Sequence, residues 1–121
     1  MRFWNLLIII ASVIEPVFNS CSSHGAVRAA YLGNLDYLKN CQHAIGSNGQ
    51  LLVSAAKGGH LDITKFVCQL PNYDTFDEPY AYAWAEVYEQ EHIAKWLWQE
   101  MSDENKIYAV KLQKLFEVDG K

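Results

Sequence analysis

"SAAKGGHLDITKFV", residues 54–67, holds two apolar periods with a break between them. Ala55, Ala56 and Lys57 are good helix formers. Gly58 and Gly59 interrupt the run, because glycine adds backbone freedom that a helix interior does not use. Leu61, Ile63, Phe66 and Val67 then open a second run, and Ile63, Phe66 and Val67 share one helical stripe. The stretch reads as a helix, a turn on two glycines and a second helix. A single occurrence would be an isolated helical hairpin. Recurrence makes the chain a repeat protein, whose function is sought on a surface instead of in a catalytic cleft.

The pattern recurs. "AAYLGNLDYLKNC", residues 29–41, overlays "AAKGGHLDITKFV", residues 55–67, at an offset of 26 with six identical positions. "AEVYEQEHIAKWL", residues 85–97, repeats the helix-turn-helix at an offset of 30. This third copy keeps Ala85, Ile93 and Lys95 but carries Glu89 where the others have Gly33 and Gly59. Periods of this length mark solenoids and arrays. Gly33 and Gly59 can take a positive φ and end the first helix of each copy. Asp36 and Asp62 fall in the first turn of the second helix, facing the positive end of its dipole. No single hairpin buries both faces, so each unit leans on its neighbour.

These residues resemble the ankyrin repeat family. "LLVSAAKGGHLDITKFVCQ" (residues 51–69) is close to the family core, "AVRAAYLGNLDYLKNC" (26–41) is a second match, and "AYAWAEVYEQEHIAKWLWQ" (81–99) is a degenerate third. The resemblance covers residues 24–100. It implies an all-α fold: an α-solenoid of about three ankyrin-like helix-turn-helix repeats, at about 24–49, 50–78 and 79–100. The "T-P-L-H" opening of the family's repeats is absent, and the spacings are shorter than its usual ~33 residues. The β-hairpin finger between the first two copies is therefore expected to be irregular.

Residues 101–121 follow as a C-terminal capping helix, with a truncated fourth repeat as the alternative. Ser102 is the expected N-cap, with Asp103 and Glu104 in the first turn. Tyr108, Leu112, Leu115 and Phe116 share a face, while Lys106, Lys111 and Lys114 can lie away from it. Residues 1–23 begin "MRFWNLLIIIASVI", an apolar run shorter than the about 20 residues that span a bilayer. Arg2 followed by that run fits a secretory signal peptide; a buried N-terminal helix stopped near Pro16 is the other reading.

With 121 residues, half of them hydrophobic and 20% charged, the chain is one globular domain. A net charge of −4 and a pI near 5.5 exclude a general nucleic-acid binder, which needs a basic face. Three cysteines form no even disulfide framework. Cys21 and Cys41 can pair if the protein is exported, and all three remain thiols in a reducing cytosol. Cys68, at the apolar end of its helix, reads as a small buried hydrophobe. The cytoplasm is the expected location, with secretion as the alternative.

Chemical sites carry little weight. Cys21 with His24 and Cys41 with His43 give C-x2-H and C-x-H spacings, which match no common structural zinc pattern. His60 and Asp62 lie in the turn and at the start of the second helix, without a nucleophile elbow or a phosphate loop beside them. "GSNG", residues 46–49, is turn chemistry. No metal, cofactor or catalytic residue is expected, and a small enzyme on a helical scaffold is the remote alternative.

The expected function is that of a monomeric protein–protein interaction module, without nucleic acid or membrane as a partner; an exported or host-directed form is the runner-up. Ankyrin fingers and inner helices form a concave binding face, so by resemblance the loop "PNYDTFDEPY" (71–80) and the aromatics after it are the contact. Tyr73, Asp74, Phe76, Asp77, Glu78, Tyr80, Trp84 and Tyr88 are the candidate partner-binding residues, and the acidic ones favour a basic partner. The competing reading has the aromatics covering the capping helix. Gly33, Gly58 and Gly59 are the structural turn residues.

Overall fold

The computed structural model describes residues 21–42 and 49–120. The apolar segment before residue 21, His43 and most of the "GSNG" turn lie outside the described residues. All regular structure among the described residues is helical. Among the described residues there are seven α-helices: α1 Ser23–Leu32, α2 Leu35–Asn40, α3 Gly49–Gly58, α4 Leu61–Cys68, α5 Glu78–Val87, α6 Glu91–Glu100 and α7 Asp103–Gly120. A 3-10 turn, Thr75–Asp77, leads into α5. None of these helices is long and apolar enough to cross a membrane.

The first six helices pair as three hairpins, α1 with α2, α3 with α4, and α5 with α6. Each is closed by the same turn. In it the backbone N–H five residues on donates to the carbonyl of the first alanine of the copy: Asn34 to Ala29, His60 to Ala55 and Gln90 to Ala85, at 2.8, 3.0 and 2.7 Å. Such a bond satisfies a carbonyl that the helix end would leave orphaned. The residue before the donor is left-handed in all three, with φ of 92° at Gly33, 81° at Gly59 and 59° at Glu89. Glu89 thus adopts the glycine geometry without being glycine, which costs about 1–2 kcal/mol. Glu89→Gly is expected to stabilise the chain by about 1 kcal/mol in urea unfolding; a loss of stability would contradict the equivalence of the three turns.

Gly58 departs from the sequence reading. It does not turn the chain but ends α3 in helical conformation, and only Gly59 has a positive φ. What requires glycine there is space: a Cβ on Gly58 would collide with the backbone carbonyl of Tyr31.

The hairpins stack through their first helices. α1 packs on α3, α3 on α5 and α5 on α7, while α2, α4 and α6 lie on the other side of this layer. Small side chains allow the close approach: Ala26, Ala29 and Ala30 on α1, Ala55 and Ala56 on α3, Ala81 and Ala85 on α5. Leu38, Ile63, Val67, Ile93 and Leu97 fill the space beneath, within one continuous core. Ser102 caps α7, accepting from the Asn105 N–H at 3.2 Å. α7 occupies the position that the first helix of a fourth hairpin would take, and Ala109 and Leu112 are its buried apolar residues.

Polar ties cross between hairpins at equivalent positions. His60 Nε2 donates to the Tyr31 carbonyl at 2.9 Å, and Gln90 Nε2 donates to the Lys57 carbonyl at 3.1 Å. His92 Nε2 adds a bond to the Gly59 carbonyl at 3.1 Å. Each satisfies a backbone carbonyl near the end of the preceding first helix. His60 therefore has a structural partner.

Candidate binding face

The first helices present one face away from the second helices. Its spacing is helical: Gln50, Val53, Ser54 and Lys57 on α3, then Tyr80, Trp84 and Tyr88 along α5. Between α1, α3 and α5 this face forms an open groove of about 580 Å³, with Val27, Val53, Lys57, Asp77, Tyr80 and Trp84 in its walls.

The aromatics of α5 are committed to their neighbours to different degrees. Trp84 stacks on Phe116 of α7, with ring centroids 4.4 Å apart, and meets Tyr88 edge-on at 6.0 Å. The Lys57 ammonium lies 4.2 Å from the Trp84 ring and 5.6 Å from the Tyr88 ring, a cation–π arrangement that ties α3 to α5. Tyr80 meets Tyr108 edge-on at 5.8 Å, and their hydroxyls are 2.9 Å apart. Tyr80 and Tyr88 nevertheless stay 38% and 43% exposed. On the other side of α5, Tyr82 packs against Trp98 at 5.2 Å. Trp96 is half-buried against the core, like Phe66 at the matching position.

The acidic loop divides. Phe76 is 74% exposed and projects from the 3-10 turn. Asp74 is exposed and caps that turn, accepting from the Phe76 N–H at 3.0 Å. The half-buried Asp77 carboxylate lies against Gly49 at the start of α3. Burial, with a further contribution from Asp74, pushes its pKa above the ordinary range.

Two residues expected at a partner contact are instead inside the domain. Glu78 is 5% exposed, and Tyr73 is half-buried against the core with its hydroxyl fully covered. Glu78 lies on α5, on which α7 packs, and Asn105 of α7 reaches back to donate to the Thr75 carbonyl at 3.0 Å; Tyr73 turns toward the core itself. Cys68 joins them, half-buried, and desolvation pushes its thiol up to about 11. The Tyr73 hydroxyl lies electrostatically close to Cys68 and Glu78, yet no partner meets full hydrogen-bond geometry.

Burial likewise raises the Glu78 pKa, an effect that Tyr73 and Asn105 partly offset and nearby Glu100 reinforces. A carboxyl with a raised folded pKa binds protons more readily in the native state. Stability is therefore expected to rise as pH falls from neutral toward the ordinary carboxylate range. Glu78→Gln should unfold at higher urea than the parent at neutral pH and show a flatter pH dependence. A variant weaker than the parent at neutral pH would mean that the carboxylate is well paired.

Cys21 and Cys41 are joined in a disulfide with a Cα–Cα distance of 5.4 Å, so the two thiolates of the Cys/His set are committed to each other. The pairing could not be read from spacing. The His60 and Gln90 ties were also missed, though one signal was present: aligned copies place a side-chain N–H donor at the same position, 60 and 90. Comparison with protein-family models, curated proteins and solved structures finds no match to this chain.

Proposed function

We propose that this chain is an ankyrin-type repeat module that binds another protein non-covalently through the inner face of its stack, as a monomer and without a cofactor. The observation that carries the reading is the equivalence of the three hairpins, in their turns and in the ties between them, together with the groove along their first helices. A preformed stack orders few groups on association, so little entropy is lost at the interface. Phe76 and Tyr80 are the accessible aromatics beside the groove, and exposed aromatics of this type supply interface hot spots. Asp74 and Asp77 favour a basic partner.

The test is affinity capture with the full chain beside a Phe76→Ala/Tyr80→Ala variant whose melting temperature matches the parent. A partner retained by the parent and lost by the variant supports the proposed face. A partner held equally by both moves the contact elsewhere on the stack, and capture of nothing from any source counts against a binding module.

The disulfide favours the exported version of this reading, because such bonds persist in oxidising compartments. Sequencing the N-terminus of protein recovered from culture medium tests it. A new terminus upstream of Cys21, which keeps the disulfide, supports this version, whereas a terminus just before His24 would remove Cys21 and contradict the bond. An intact Met1 found only inside the cell opposes export.

A further inference from the structure

The first hairpin is held differently from the other two. Among the described residues its fully buried apolar side chains besides Cys41 are Ala26, Ala29, Ala30 and Leu38, with Val27, Leu35 and Tyr37 only partly buried against the core. Leu38 is thus the one large aliphatic group among them that is fully covered. The second hairpin buries Leu51, Leu52, Ile63 and Val67, and the third is clamped from above by α7. α2 has six residues, too few to be stable without outside support. Among the described residues the polar tie across the boundary to the second hairpin is His60 to Tyr31, whereas two such bonds, from Gln90 and His92, cross to the third hairpin. Among the described residues, the cystine stands in the hairpin with the fewest large, fully buried aliphatic side chains. Cys21 directly precedes Ser22, the N-cap of α1, and Cys41 is the C-cap of α2, so the bond closes the open end of the hairpin.

We propose that Cys21–Cys41 is a redox latch: its reduction releases α1 and α2 from the stack while α3 to α7 remain folded. The reductant is a dithiol. Its thiolate attacks the sulfur of Cys21, the half-exposed partner, since Cys41 is 3% exposed. The S–S bond breaks and Cys41 leaves as a thiolate that takes up a proton. The second thiol of the reductant then attacks the mixed disulfide and frees Cys21 as a thiol. The dithiol departs as a disulfide, having delivered two electrons and two protons. The hairpin then loses the constraint that linked residues 20 apart, and one buried leucine does not replace it. Release would remove Val27 from the groove wall and uncover the flank of α3, so the latch would gate the proposed binding face.

Amide hydrogen exchange of the full chain, with and without dithiothreitol, tests this. A Cys21→Ser/Cys41→Ser variant measured without reductant separates the latch from any effect on Cys68. Exchange between residues 26 and 41 should accelerate by about 100-fold in both the reduced and variant proteins, while residues 81–97 change by less than about threefold. Unchanged protection in the first hairpin would overturn the proposal. An equal loss across both regions would also overturn it, because the bond would then staple the whole fold.

Discussion

Gly58→Ala is expected to lower the stability of the chain by about 3 kcal/mol, more than any other single-methyl addition at its turns. The carbonyl of Tyr31 is held between the α-carbon of Gly58 and the ring of His60, which donates to it at 2.9 Å. An added methyl group strikes backbone, which cannot swing aside, and displaces the acceptor from its donor. At Gly59 the corresponding methyl meets the amide end of the Gln90 side chain, 2.6 Å away, which can move. Gly59→Ala then costs mainly the left-handed conformation, about 1–2 kcal/mol. Lys57→Ala removes the partly exposed cation–π contacts to Trp84 and Tyr88 and costs about 0.5–1 kcal/mol. Gly59→Val is still expected to exceed Lys57→Ala by a wide margin. Thermal melts rank the series, with a drop of about 10 °C or more for Gly58→Ala. A Gly58→Ala chain as stable as the parent would mean that α1 and α3 do not approach this closely.

The second large effect concerns Trp84. Trp84→Ala is expected to cost about 3 kcal/mol, because the ring links three helices through Lys57 of α3 and Phe116 of α7. Phe76→Ala should stay within about 0.5 kcal/mol of the parent, since its ring is 74% exposed and leaves no cavity. Urea titrations of the two variants distinguish the residues that build the face from those free to serve it. If Trp84→Ala unfolded at the same urea concentration as the parent, α7 would not be seated on α5 as described.

That contrast also marks how far the sequence could be read. The hairpins were legible because glycine announces a left-handed turn at 33 and 59, and because apolar period and alanine pairs recur in register. The third turn was harder: glutamate gives no such signal, and only Ala85, Ile93 and Lys95 kept the alignment. Gly58 and Gly59 look alike in sequence, but one serves conformation and the other clearance, and clearance depends on a residue 27 positions earlier.

The candidate face was legible in part. The helical spacing of Tyr80, Trp84 and Tyr88 marks one stripe of α5; Tyr80 and Trp84 pack against Tyr108 and Phe116 of α7, the covering role, and the same two edge the groove. The loop was misjudged at Tyr73 and Glu78, because a polar loop carries no local sign of which of its side chains will turn toward the core. Nor does it announce the bond that Asn105 makes to the Thr75 carbonyl from 30 residues away. The disulfide was left open for a different reason, since pairing depends on compartment as well as on geometry.

The central claim is that the first helices of successive hairpins, and α7 after them, stack into one layer. A nuclear Overhauser spectrum read at the Trp84 indole tests it most directly. Cross-peaks from that ring to the Lys57 side chain and to the Phe116 ring would place α3, α5 and α7 side by side, as the account predicts. An indole with cross-peaks only to residues of α5 and α6 would contradict the stack.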